Sequence, residues 1–387
     1  MHFDFIIYGE GISAEIAALS LAQNNFKVCF IKNGAHNKNE SNLVTFLSSG
    51  SVNYLSNILH DPSALNEYID IKKITCKLDK ASQNSNITFA DNQEGKLGKI
   101  IPNKIIKKLL YSSLNKSENI EILIKTKSIV NKTYDNKVSI ILDERKEIKA
   151  KLFVLSSAAD QNMLNNLNFR FISHNLNQTA LSMNVIGEFK KQGQAFQIFT
   201  SRGPLAFLPS SKNHASLVWS LKNNAGELNE DISKLAIIVN QYLEEDIGKL
   251  RIDNIEAHEL NFNYAKKLYD RNNIIIGNIA HNIHPIAGQG LNLSIKDISL
   301  LVATALKYTS IGYEINNKML LDEFNQYRKI DNAAYSFGTL ALDRVLSSKN
   351  RFISMITGLG IKILEKNNFA KEKIINSATG TSHFKSL

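Results

Sequence analysis

Two short stretches hold residues whose types and spacing could do chemistry. In FDFIIYGEGISAEIAALSLAQNNFKVCFIKN (residues 3–33), Gly9, Gly11 and Ala14 spell G-x-G-x-x-A. In GNIAHNIHPIAGQGLNLSIKD (277–297), two histidines, one proline and three glycines share a single loop, in a chain with 5 prolines and 19 glycines among 387 residues. Glycine frees the backbone and proline fixes it, so such a cluster marks main chain shaped to approach something closely. In the first stretch Gly9 permits a tight turn. Gly11 lets a pyrophosphate reach the amides of a helix N-terminus, and Ala14 lets that helix pack on the strand. In the second, Gly288, Gln289, Gly290, Leu291 and Asn292 present backbone amides at another helix start, a place for an anion or a polarised carbonyl. Two nucleotide-like sites far apart in the chain fit one large cofactor such as FAD, held at both ends.

The elements around these residues are legible. Phe3 to Tyr8 is an apolar run of strand length, Ile16, Ala17, Leu19, Leu21 and Ala22 continue at helical spacing, and Lys27 to Ile31 form a second strand. This βαβ unit is the context that gives the fingerprint meaning. RNNIIIGN (271–278) is again a strand running into glycine, and a helix follows from about Gly290, with Leu291, Ile295, Ile298, Leu301, Val302 and Ala305 on one face. One element departs from the pattern. The end of the second strand usually carries an acid for the ribose hydroxyls, and Lys32, which stands there, has no acceptor. Either Asn33 substitutes, or ribose binding is weakened.

The expected fold is α/β: a discontinuous Rossmann-like FAD-binding domain (1–72, 97–176 and 268–325), with a smaller antiparallel-sheet substrate domain (73–96 and 177–267). A C-terminal helical region (326–387) follows. The alternating runs FQIFTS and SLVWSL suggest the antiparallel sheet. Trp219, Phe196, Phe199 and Phe207 are expected mostly in core, with one sheet face left to wall an apolar substrate site.

Other chemistries find little support. His281 and His284 form H-x-x-H, but no carboxylate or cysteine lies at ligand spacing, so no metal is expected. No G-x-S-x-G elbow is present. Asp297, inside the second helix, reads equally as solvent-facing, capping or functional. Cys29 and Cys76 lack C-x-x-C partners and are expected to be reduced. The net charge is +10, from 46 Lys and Arg against 36 Asp and Glu. The lysines are scattered without interleaved aromatics, so no nucleic-acid partner is expected. With no long apolar run and no signal peptide at the start, a cytoplasmic location is expected.

The stretch 277–297 resembles the second flavin motif of the aromatic-ring hydroxylases with the p-hydroxybenzoate hydroxylase fold. More narrowly it is similar to the ubiquinone-biosynthesis hydroxylases, whose members acting on 2-polyprenyl-6-methoxyphenol often carry Gly-Asn, as Gly277-Asn278 does here. FTSRGPLAFLPSSKNHASLVWSL (199–221), QTALSMNV (178–185) and LGKIIPNKIIKKLL (97–110) are similar to further family segments, collinear over nearly the whole chain. The resemblance implies FAD reduced by NADPH or NADH, and oxygen transfer to a polyprenylated phenol through a flavin C4a-hydroperoxide. It places Gly288 to Asn292 around the pyrimidine end of the flavin, Pro285 beside the ring, Asn278 at the ribityl or pyrophosphate region, and Asp160 in the middle motif. His284, before Pro285, is a candidate contact to flavin or substrate. No protein acid or base is implied, because the phenol is activated by its own oxygen. A substrate dissolved in the bilayer implies peripheral contact with the inner membrane, and partners among other ubiquinone-biosynthesis proteins.

Three departures from the family pattern accompany this. They are Lys32, Asn42 in place of an arginine, and Gln161 in place of a glycine, which is costly if that position needs positive φ. They keep open a weakly flavin-binding or non-catalytic scaffold subunit of a quinone-biosynthesis complex. A flavin hydroxylase acting on a soluble aromatic is the third reading.

Overall fold

The computed structural model describes residues 2–33, 43–78, 86–90, 95–125, 129–134, 137–144, 146–157, 159, 161–284, 288–346 and 367–379. Its first sheet is built on the strand His2–Tyr8, which pairs in parallel with Val28–Asn33 on one side and Lys146–Leu155 on the other. Phe5, Ile6, Ile7 and Tyr8 are all buried. A consecutive apolar run, without alternation, is what a parallel strand covered on both faces requires. The order continues outward to Ile120–Lys125 at one edge and to Asn273–Ile275 and Tyr269–Asp270 at the other. An antiparallel ribbon of Ile129–Tyr134 and Lys137–Leu142 is attached to Lys146–Leu155. The fingerprint helix, Ile12–Gln23, buries Ala14 and every residue from Ile16 to Ala22. It lies between this sheet and the helices Asn103–Asn115 and Gly290–Ser310.

The second sheet runs in the order His281–Asn282, Leu250–Ala265, Phe171–Gly187, His214–Lys222, Gly203–Pro209, Gln194–Thr200, Lys73–Leu78, Asn86–Ala90. Its pairs are antiparallel except one, because Gln194–Thr200 runs parallel to Lys73–Leu78. That pairing joins two segments far apart in sequence, where no hairpin constrains the direction. One face packs under the helix Ile232–Ile247, capped by Asp231 Oδ1 accepting from the Lys234 amide at 2.8 Å. Trp219, Phe207, Leu217, Leu235, Val239 and Leu243 form that core. The opposite face is left for the site. A small third sheet joins Val44–Ser48, Gly98–Pro102 and Asp70–Ile71.

The long helix Lys318–Leu346 begins eight residues before the expected helical region. It forms one continuous helix across the boundary because Leu320, Leu321 and Phe324 bury into the flavin-side core. A closing helix, Asn368–Thr379, follows. Among the described residues no helix is long and apolar enough to cross a membrane. Within the expected C-terminal helical region, residues 347–366 lie outside the described residues, as do Pro285, Asp160 and Asn42.

Candidate active site

At the fingerprint, geometry explains the residue types. A Cβ on Gly9 would lie 2.9 Å from the Ser157 amide nitrogen and 3.2 Å from Ala14 Cβ, so turn, strand and helix close on a position that admits only glycine. Gly11 sits at φ +86° with nothing within 4 Å of a built Cβ, leaving its side open for a ligand to reach the helix amides. Lys32 does not stand alone at the end of its strand. Its Nζ lies 3.2 Å from Glu15 Oε1, in the first turn of the fingerprint helix. Burial pushes the Glu15 carboxyl up, and Lys32 partly offsets the shift. The other oxygen, Oε2, is buried with no hydrogen-bond partner among the described residues. Glu15 is thus the partner of Lys32 and is not among the residues lining the cavity.

The second cradle is held from behind. Gly277 (φ +65°) and Gly288 (φ +61°) take left-handed conformations that side chains disfavour. Asn292, fully buried, does more than present an amide. Its Oδ1 accepts from the Ser48 amide at 2.9 Å and its Nδ2 donates to the Phe46 carbonyl at 2.8 Å, tying the loop helix to the strand Val44–Ser48. Gln161 is not strained as a glycine replacement, for it opens the short helix Gln161–Asn166 and is absent from the positive-φ residues.

Asp297 is neither solvent-facing nor a surface cap, since it is fully buried. Its Oδ2 accepts from the Gly277 amide at 2.9 Å and lies 2.6 Å from His281 Nε2. Its Oδ1 accepts from Arg328 Nε at 2.7 Å. Arg328, also fully buried, donates further to Asp331 and Asn332, each at 2.6 Å. Burial alone raises the Asp297 carboxyl, but His281, Arg328 and the Gly277 amide outweigh it and hold it well below the usual carboxylate range. This cluster clamps the end of the strand Asn273–Ile275 to both long helices. The pair H-x-x-H therefore splits, because His281 belongs to that clamp and His284 turns elsewhere.

His284 Nε2 lies 2.7 Å from Gln178 Oε1, and Gln178 Nε2 donates to Asp343 Oδ2 at 3.0 Å. Gln178 follows a register shift in the strand Phe171–Gly187, an irregularity that re-aims a side chain. One small chain of polar groups thereby joins the loop, the second sheet and the long helix. Burial lowers the His284 pKa and the nearby Asp343 opposes that. A histidine whose folded pKa is depressed is neutral in the fold and takes up a proton on unfolding. Its contribution to stability is present above the unfolded value of about 6.5 and is lost as pH falls through the folded value. Urea midpoints should therefore decline below about pH 6.5, with a shallower decline in His284→Gln; equal slopes would contradict the assignment.

The pieces meet in one cavity of about 940 Å³. Gly11, Ile12 and Ser13 from the fingerprint line it, as do Asn278, Gly288, Gln289, Gly290 and Leu291 from the loop. Gly9, Ala14 and Asn292 lie beneath this lining as its support, and His284 is buried behind it. The remaining wall is the free face of the second sheet, with Phe46 and Leu97, and Ile374, Ile375 and Thr379 of the closing helix. Phe199 lines it from the sheet face, and Phe196 reaches it from the core that it shares with Trp219 and Phe207. Cys76 lines the cavity and Cys29 is buried, and burial pushes both thiols up to about 12.

Two backbone cradles opening into one cavity, on a parallel sheet flanked by helices, define a protein that holds an extended dinucleotide cofactor. The chain belongs to the FAD-binding domain family, whose model matches residues 11–328. It is 22% identical over 391 residues to 3-demethoxyubiquinol 3-hydroxylase of Escherichia coli K12, covering 97% of this chain and 98% of that protein. It is 23% identical over 291 residues to the ubiquinone hydroxylase UbiL of Rhodospirillum rubrum, covering 74% and 68%. Its fold is that of p-nitrophenol 4-monooxygenase PnpA from Pseudomonas putida DLL-E4, with a TM-score of 0.77, 11% identity and 98% coverage of each chain. The open backbone at Gly11 and Gly290 fits FAD, since no side chain projects where its phosphates and ring would approach.

Proposed function

We propose that this protein is an FAD-dependent aromatic-ring monooxygenase that hydroxylates a polyprenylated phenol in ubiquinone biosynthesis, with NADPH or NADH as reductant. The observation that carries this reading is that both backbone cradles and a largely apolar sheet face open into the same cavity. When bound, FAD supplies the redox chemistry, accepting hydride from the nicotinamide and activating oxygen. The chain supplies position, electrostatics and exclusion of water.

In this reading the amides of Gly288, Gln289, Gly290, Leu291 and Asn292 favour negative charge on the flavin ring, as oriented N–H groups do without reorganising. Gly9, Gly11 and Ala14 shape the pyrophosphate turn, Asn278 reaches the ribityl or pyrophosphate region, and Asp160 and Pro285 keep the cofactor roles given above. The cavity wall of Ile74, Leu208, Phe199 and Leu260 keeps water from the reacting ring. The cofactor domain comprises 1–72, 97–176 and 268–325, the substrate domain 73–96 and 177–267, and the helical region 326–387. A cytoplasmic protein in peripheral contact with the inner membrane suits a substrate dissolved in the bilayer, and the charge of +10 favours an anionic surface.

The test is the visible spectrum of the purified protein before and after FAD addition. Flavin bands that NADPH bleaches, faster with a prenylphenol present, are the expected result. A protein that stays colourless at high FAD would return the scaffold reading, and turnover of soluble phenols alone would return the third.

A further inference from the structure

The free face of the second sheet carries a row of cross-strand partners whose chemistry changes at one point. Reading across the strands, Cys76 pairs with Gln197, Gln197 with Ala206, Ala206 with Val218, and Val218 with Ser182. All five line the cavity. Along its own strand Gln197 lies between Ala195 and Phe199, which share its face, while Phe196 and Ile198 face the opposite core. The amide therefore stands among small side chains on three sides: Ala195, Ala206 and Cys76. It is 5% exposed and makes no hydrogen bond among the described residues.

A primary amide with two donors and an acceptor, opening onto the cavity from an apolar floor and without a side-chain partner among the described residues, is left for water or a ligand to satisfy. The floor of small residues gives a planar ring room to lie close to the sheet. The place also adjoins the cofactor cradle. Phe46 Cβ lies 3.4 Å from a Cβ built on Gly288, and Phe46 shares one apolar cluster with Ala195, packed against Ile74, Leu208 and Ile375. Gln197 is the next residue on that face. The other unpartnered polar group of the row, Ser182, stands three strands away, about 14 Å at the usual strand spacing, beyond reach of the same substituent. Cys76 is a protonated thiol and a weak donor.

We propose that Gln197 is the substrate-recognition residue of this site, its side-chain amide hydrogen-bonding the ring oxygen of the phenol and fixing which ring edge faces the cofactor. The apolar walls hold the prenyl chain, and the amide alone distinguishes an oxygenated ring from a bare one. The inference rests on the phenol reading above and adds the group that reads the oxygen.

The test uses the full-length protein loaded with FAD, titrated with 2-farnesylphenol and with farnesylbenzene, and followed by perturbation of the flavin spectrum. The native protein should bind the phenol about 10- to 100-fold more tightly, because the hydrocarbon leaves the amide unpaired. Gln197→Met, similar in length and without the amide, should bind both alike while retaining FAD. Gln197→Leu offers the same comparison if the methionine variant folds poorly, and the native comparison needs no variant. Equal binding of the two ligands by native protein overturns the inference and leaves the prenyl reading standing. So does discrimination that survives both substitutions. Binding of neither ligand overturns the phenol reading, and this inference with it.

Discussion

Asp297→Ala should cost about 3–5 kcal/mol of folding stability, the penalty for leaving a buried charge without its partner. Arg328 has no exposure to water with which to replace the lost carboxylate. The Gly277 amide and His281 Nε2 lose their acceptor in the same step. Against a typical total of 5–15 kcal/mol this is a large fraction, so the urea midpoint should fall sharply. Asp297→Asn keeps an acceptor and should cost less. The double variant Asp297→Leu, Arg328→Met should recover part of the loss, since it removes the stranded cation. A midpoint within about 0.5 kcal/mol of native in the alanine variant, the range of ordinary surface changes, would show that the clamp contributes little. The pH dependence has a definite sign. A carboxylate held below its ordinary value contributes stability that is present above about pH 4 and lost as pH falls through its folded value.

Gly288→Val should weaken FAD binding by about 30-fold or more. A left-handed backbone costs an ordinary residue roughly 1–2 kcal/mol, and a β-branched one more, and 1.4 kcal/mol is a factor of ten in affinity. The valine would also press on Phe46, 3.4 Å from its Cβ, whose carbonyl Asn292 holds in place. Relief would have to come from the cradle. Gly312→Ala is the control: its φ is +87° with open space around the Cβ, so it bears similar backbone strain away from the cavity. FAD titration of the apoproteins separates the two. An unchanged dissociation constant in Gly288→Val, or an equal loss in Gly312→Ala, would remove the loop from the cofactor's binding site.

The parts of this molecule legible in sequence are those where one local pattern suffices. The turn glycines Gly9 and Gly11, the loop at Gly288 and the helix from Gly290 obey backbone rules acting over a few residues, and Gly11, Gly288 and Gly290 line one cavity. What stayed hidden depends on pairs distant in the chain. Asp297 read equally as solvent-facing, capping or functional because its partners, Gly277, His281 and Arg328, come from other elements. The pairing of Lys32 with Glu15 was hidden because the partner comes from the helix. Gln161 looked costly only on the assumption that the backbone there follows a glycine pattern. Gln197 carried no signal in sequence, since an amide in an apolar strand gains meaning only when its cross-strand neighbours prove small. The parallel pairing of Gln194–Thr200 with Lys73–Leu78 was likewise unreadable, because alternation fixes faces and not directions.

The cavity wall has a consequence for how the protein is made. Its lining begins at Glu10 and ends at Thr379, so it draws on segments far apart in the chain. A ribosome delivers the fingerprint early, and N-terminal segments fold first. The loop at 288–291 and the closing helix emerge long after it. The nascent chain therefore cannot enclose its cofactor until the closing helix has left the ribosome. Loading waits on that helix, and a chain cut before residue 368 keeps most of the fold with an unwalled site.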